Sequence, residues 1–399
     1  MAISIEPTYT KWNLAERNRK WKEDVKFLAN ELPKRHKNLF FKTNSLEFKK
    51  AAASLCKTIN SMTDAEAILG MAQLIATVGD NHTILELSQQ RVGFRRFPIW
   101  LRWFDDGLFV EGITDSAENA IGCKVKKIGK MRIERIYSEM KKFLPHESTP
   151  CLKQMSQRHL NMVEFLYEVG AINSPDTGSY CLEDSRGTTF TVNLGPFIPG
   201  LGVHFAKPRT IPAYSQNLND NYQFEWMKRH RTLYIQYNCC KETEGKPFGL
   251  FSREVLRLVN KERAKRIIID LRNNGGGNSK VINPLISGLH EWDPQKNGCQ
   301  VFAIIGKKTG SSAILNSMQL KRELDAIFIG KPTGGKPNHY GDVKYFGLPN
   351  SKISIQYSTK YFKVSEKNQL SIIPDIRVKD VSKDYFAGKD PVMKTILSY

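Results

Sequence analysis

Between residues 250 and 330, near-continuous apolar runs alternate with amphipathic segments, and this alternation limits the possible folds more than any other feature of the chain. Ile267-Ile268-Ile269 follows directly on FSREVLRLVNKERAKR (251–266). QVFAIIG (300–306) precedes SAILNSMQLKREL (312–324), and AIFIG (326–330) follows it. A strand apolar at successive positions is buried on both faces, which a parallel sheet layered with helices provides and a half-solvated antiparallel sheet does not. Residues 206–399 therefore predict an α/β layer with parallel strands, TLYIQYN (232–238) adding another strand and VKYFGLPNSKISIQYS (343–358) a hairpin.

The 399-residue length suits two or three domains. Residues 1–90 read as a helical domain: apolar residues recur at three- and four-residue spacing through KEDVKFLANEL, SLEFKKAAASLCKTI and DAEAILGMAQLIATV. Residues 93–205 change texture. FPIWLRWF, GLFVEGI and KVKKIG predict strands; RIERIYSEMKKFL and 151–168 predict helices; SYCLED and TFTVNL predict two further strands before the Pro/Gly stretch 195–200. That order suggests a small PDZ-like mixed module.

Lys and Arg outnumber Asp and Glu by 60 to 40. The net charge of +20 would attract anionic partners, yet the basic runs at 34–37, 124–130, 228–231 and 261–266 are scattered and match no nucleic-acid module. Specific nucleic-acid binding is not expected. No apolar run reaches 18 residues, so no transmembrane segment is expected either. The seven cysteines form no CxxC pair and no Cys/His cluster, so neither a metal site nor a cofactor is implied. Their odd, scattered count and the absence of an apolar leader suit a cytoplasmic protein as written; removal of a leader would make it a secreted or cell-envelope one.

Three features could carry chemistry. Asp270 to Gly277 (DLRNNGGG) links a buried strand to a helix, and its glycines leave backbone N–H groups open to an anion or oxyanion; a plain tight connection is the alternative. Thr309-Gly310-Ser311-Ser312-Ala313 sits at a helix N-terminus, where free N–H groups favour negative charge and where a serine can also simply cap the helix. Gly330 to Lys336 has the G-x4-G-K spacing of a phosphate loop, but Pro337 supplies no hydroxyl for Mg²⁺, so ATP chemistry is not expected.

In combination, IIIDLRNNGGG, TGSSA with its helix, AIFIGKPTGGK, LPNS and Ile373-Pro374-Asp375-Ile376 resemble the S41 peptidases, the C-terminal processing (tail-specific) proteases and their tricorn-like relatives, over roughly residues 230–380. Gly79-Asp80-Asn81-His82-Thr83 resembles a helix-end element of the same proteins, and 93–205 falls where they carry a PDZ-like module. The resemblance implies a ClpP/crotonase-like core and a serine endopeptidase acting on peptides or unfolded proteins. It places the nucleophile at Ser311 and the oxyanion hole at the amide of Ser312 with Gly276 or Gly277.

The resemblance leaves the base open between two residues. Lys336 follows Ser311 by 25 residues, as in the Ser/Lys branch, but Ile314 and Tyr340 depart from that branch's Glu and Gln. His82 matches the tricorn-like branch and needs no extreme pKa shift to act near pH 7. Glu366 is then the candidate carboxylate to orient it, with Asp80 a turn or cap residue that could serve instead. The two departures keep alive an alternative, a catalytically silent peptide-binding or scaffold relative. Substrate identity and oligomeric state leave no mark in the sequence.

Overall fold

The computed structural model describes residues 7–197 and 205–399; the end of the 195–200 stretch lies outside them. The described residues are mixed α/β and form three sheets.

Three helices open it, Leu14–Arg35, Ser45–Thr58 and Asp64–Ala76, each started by a side-chain cap: Asn13 accepts from the Glu16 amide, Asn44 from Glu47, and Thr63 forms a reciprocal capping box with Glu66. Their apolar stripes bury Trp21, Val25, Leu28, Phe48, Ile68, Met71 and Ile75.

A second layer is antiparallel. Its strands run in the spatial order Ile99–Phe104, Gly107–Thr114, Lys124–Ile128, Gly178–Glu183, Thr189–Leu194. The helix expected over 151–168 is two helices, Thr149–Ser156 and Val163–Glu168. Between them Asn161 turns its amide to the carbonyls of Phe97 and Ile99, binding the break to the sheet.

The α/β expectation for the last segment holds. Five strands, Thr232–Tyr237, Arg266–Asp270, Gln300–Ile305, Ile327–Gly330 and Ile376–Arg377, run parallel. Tyr222–Met227 adds an antiparallel edge. Helices Phe248–Glu262, Asn283–Trp292 and Ser312–Leu324 bury one face of this sheet with Val255, Leu285 and Ile314. Ile268, Phe302 and Ile304 face the other side, against the C-terminal helix Pro391–Leu397.

The hairpin formed by His339–Gly347 and Ser354–Phe362 ties the layers together. Its Phe346, Leu348, Ile353 and Ile355 enter the same core as the N-terminal helices and the antiparallel sheet. At its turn, the buried Asp24 carboxylate accepts from the amides of Asn350 and Ser351 at 2.9 Å each. Ile84–Leu85 adds a short third strand along the hairpin, with Ile84 opposite Gln356. That pairing, with the Gln356 side-chain amide donating to the His82 carbonyl at 2.8 Å, fixes the 79–83 turn on the hairpin.

Candidate active site

Ser311 stands at the start of the Ser312–Leu324 helix with φ 48° and ψ −126°, a conformation that side chains other than glycine rarely adopt. Such a residue costs ~1–3 kcal/mol and persists only when its surroundings hold it. Here they do. Thr309, fully buried, donates its hydroxyl to the Leu271 carbonyl (2.8 Å) and accepts from the Gly306 amide (2.9 Å). The Gly310 amide donates to the Asn274 carbonyl (3.2 Å), and the Ser312 hydroxyl to the Gly277 carbonyl (2.6 Å). The serine is thus sewn to the glycine turn on both sides.

The turn itself is shaped by contact. A Cβ on Gly276 (φ +113°) would lie 2.6 Å from Ser311 Cβ, and one on Gly277 (φ +134°) 2.3 Å from the Cys240 carbonyl oxygen. Buried Asn274 accepts the Gly276 amide at 2.9 Å and donates to the Tyr237 carbonyl. The Gly276 N–H is therefore committed, whereas the amides of Gly277 and Ser312 have no acceptor among the described residues. Cys240 holds this turn from below, its thiol against Asn274 and Asn316, and Cys239 lies 3.6 Å from the Gly276 carbonyl; both are structural.

The lysine loop rests on the serine loop. The Gly335 amide donates to the Thr309 carbonyl, and a Cβ on Gly335 would reach Gly310 Cα at 3.1 Å. Thr333 anchors the loop through Gly335 and Ile372. Lys336 Nζ, partly exposed, is 3.3 Å from Oε1 of the buried Glu147. Burial raises the Glu147 carboxyl to about 7, with Lys336 opposing the rise. The sequence held no sign of this partner.

The histidine turn centres on Asp80, which is fully buried. Its carboxylate accepts from Thr83 and Ser358 hydroxyls at 2.6 Å, from His36 Nε2 at 3.1 Å and from the His82 amide at 3.0 Å. Burial pushes the Asp80 pKa up, but the hydrogen bond from His36 and the charge of His82 lead the interactions that hold it below the usual carboxylate range. His82 Nδ1 is 3.8 Å from Asp80 Oδ1 and makes no hydrogen bond. Burial lowers the His82 pKa, against the pull of Asp80, so the ring is neutral at pH 7. His339 stacks on it at 5.6 Å, its own pKa lowered to about 4 mainly by burial.

Two sequence expectations meet a different arrangement here. Glu366 lies on the surface, paired with Lys363 at 3.2 Å, because the 363–367 segment leaves the hairpin toward solvent; the carboxylate beside His82 is Asp80. Ser311 Oγ makes no hydrogen bond to His82 or Lys336 among the described residues. What joins the three turns is a 280 Å³ cavity, lined by Asn81 next to His82, by Gly310 next to Ser311, by Gly275 of the glycine turn and by Gly334 and Gly335 of the lysine loop.

Among solved structures, mature CPAF complexed with lactacystin superposes with a TM-score of 0.67 at 12% identity, over 96% of this chain and 97% of that one. Mature CPAF alone gives 0.66, also at 12%. The fold is S41 peptidase-like. The photosystem II D1 C-terminal processing protease also matches, at 11% identity over 93% of this chain and 98% of that one, with a TM-score of 0.41. No family model and no curated protein sequence matches the chain. In this S41-like fold, no helix among the described residues is long and apolar enough to cross a membrane, and no three His, Cys, Asp or Glu side chains converge as a metal site would require.

Proposed function

We propose that the protein is a serine peptidase acting on peptides or unfolded proteins, with Ser311 as nucleophile and His82 as base. The strained backbone of Ser311, packed against a glycine turn whose neighbouring amides are unpaired, carries this reading. A serine held off its own helix cap is poised for attack rather than for capping.

In this reading Ser311 Oγ attacks the scissile carbonyl carbon. His82 takes the hydroxyl proton and returns it to the leaving amine. Asp80, on the Nδ1 side, orients the ring and stabilises the imidazolium, leaving Nε2 for the proton. The amides of Ser312 and Gly277 receive the oxyanion, each such donor being worth ~3 kcal/mol of barrier. Lys336, its ammonium already on Glu147, organises the loop over Ser311 and does not serve as base. Catalytic hydrogen bonds are often long before substrate binds, so the open Ser311–His82 gap closes in the complex. We read the parallel core as ClpP/crotonase-like and the 93–205 segment as a PDZ-like module that presents substrate.

One observation favours a second reading, a silent peptide-binding relative: Ser311 Oγ has no base in hydrogen-bond contact. Labelling with a fluorophosphonate probe separates the two. Labelling of the wild type that disappears in both Ser311→Ala and His82→Ala supports the peptidase. An unlabelled wild type supports the silent binder.

A further inference from the structure

Two cavities flank Gly275, one residue from the turn that faces Ser311. The 280 Å³ cavity is lined among others by Arg158, Lys307, Lys308 and Glu86. The other, 320 Å³, is lined by Gln154, Arg158, Leu218, Asn238, Asn273, Gly275 and Lys308, with no carboxylate among them. Lys308 and Arg158 belong to both.

Neither cation has an ion pair or side-chain hydrogen bond among the described residues. Their neighbours are otherwise engaged. Lys307 binds the Trp103 carbonyl and pairs with Asp380 at 3.8 Å. Glu111, the carboxylate nearest in effect to Lys308, is taken by Arg102 (3.0 Å) and the Tyr385 hydroxyl (2.7 Å). Glu86 Oε1 is occupied by the amide and hydroxyl of Ser88; burial raises its carboxyl, but His159, Ser88 and the Arg158 charge together hold it below the usual range, with no direct Glu86–Arg158 ion pair. Burial, with Arg102 adding repulsion, lowers the Lys308 ammonium to about 8. A half-buried ammonium such as that of Lys308, with no direct ion pair, is costly unless a ligand supplies an acceptor.

Around the cations stand polar atoms that also lack partners: Gln154 Oε1, Asn81 Oδ1 and His159 Nε2, the last in a side chain only 2% exposed. His159 Nδ1 is already bonded to the Met155 carbonyl at 3.0 Å. Sites with buried, unsatisfied polar groups and unspent charge discriminate strongly for the ligand that satisfies them.

We propose that these cavities form a subsite for the carboxylate of an Asp or Glu side chain next to the scissile bond, held by Lys308 and Arg158. The proposal deepens the peptidase reading and rests on it for the position of the scissile bond. Lys308 stands three residues before Ser311, and Gly275, which lines both cavities, stands two residues before Gly277 of the proposed oxyanion amides. A peptide whose reacting carbonyl sits on Ser311 thus has its flanking side chain at the cavity mouth. Lysine provides a point charge and arginine a planar fork, a pair suited to a two-oxygen acceptor.

The test uses C-terminally amidated, internally quenched peptides that differ only by Glu or Gln at positions flanking cleavage. For the wild type, kcat/KM for Glu exceeds that for Gln at one flanking position by tenfold or more. In Lys308→Met the ratio falls to within twofold. In Lys308→Glu it inverts in favour of Gln. Arg158→Gln, a change at an exposed side chain that leaves folding intact, lowers the ratio severalfold. The same peptides are titrated onto Ser311→Ala by fluorescence polarisation, so that loss of all cleavage is charged to the peptidase reading and not to the subsite. Tighter binding of Glu than Gln peptides supports the subsite. Equal affinity for the Glu and Gln peptides overturns it.

Discussion

Gly276 faces Ser311 so closely that a methyl group on the glycine would lie 2.6 Å from the serine Cβ. The glycine also holds φ +113°, where an L side chain is strained. Gly276→Ala must displace either the serine or the turn. We expect at least a hundredfold loss of kcat/KM, with ~1–3 kcal/mol of stability lost in denaturant unfolding. Unchanged activity would mean that the turn does not frame the reaction.

The serine's own backbone makes a second prediction. Ser311→Ala and Ser311→Gly both delete the hydroxyl, but only glycine relieves φ 48°. The glycine variant should be more stable than the alanine variant by ~1 kcal/mol, although glycine elsewhere costs stability. Comparison of unfolding midpoints checks this.

Histidine burial sets the pH behaviour. A base with a lowered pKa stays neutral below pH 6.5, so the acid limb of kcat/KM should fall below that value, and His82→Ala should lower kcat by a thousandfold or more. Stability follows the same sign. The folded state takes up the His339 proton only near pH 4, the unfolded state near 6.5, so its contribution is present above 6.5 and is lost as pH falls toward 4. Chemical unfolding between those values should show a loss of up to ~3 kcal/mol that shrinks in His339→Gln.

Asp80 gathers partners from three segments. Asp80→Asn keeps its size, loses the charge facing His82, and should lower kcat more than it raises KM. Asp80→Ala leaves His36, Thr83 and Ser358 without their acceptor and should cost about 3 kcal/mol or more. Equal stability of both variants with wild type would show that the turn is not a keystone.

The parallel layer was legible because residues such as Ile267-Ile268-Ile269 are apolar at every position, which one architecture accommodates. The N-terminal helices are legible from the three- and four-residue spacing of their apolar residues, whereas their caps Asn13, Asn44 and Thr63 emerge only in the structure. Tyr222–Met227 was not read as a strand: an edge strand is half-exposed, and YQFEWM has no clean alternation. At the site, Ser311, Ser312 and the glycines announced themselves through local turn chemistry. From the sequence Asp80 reads first as a turn or cap residue and only second as the carboxylate beside His82, since its partner Ser358 lies 278 residues away. Glu366 was placed by chain order alone, which does not say whether a loop turns inward. Nothing in the local Lys-Lys turn marks Lys308; its cavity is completed by Gln154 and Arg158 from a distant part of the chain.

The most direct test of the central claim is hydrolysis of an unfolded substrate such as casein by the wild type and by Ser311→Ala, side by side at pH 7. The account predicts fragmentation by the wild type and none by the variant under conditions where both are folded. Equal fragmentation by the two proteins, or none by either across pH 6–9, would contradict it.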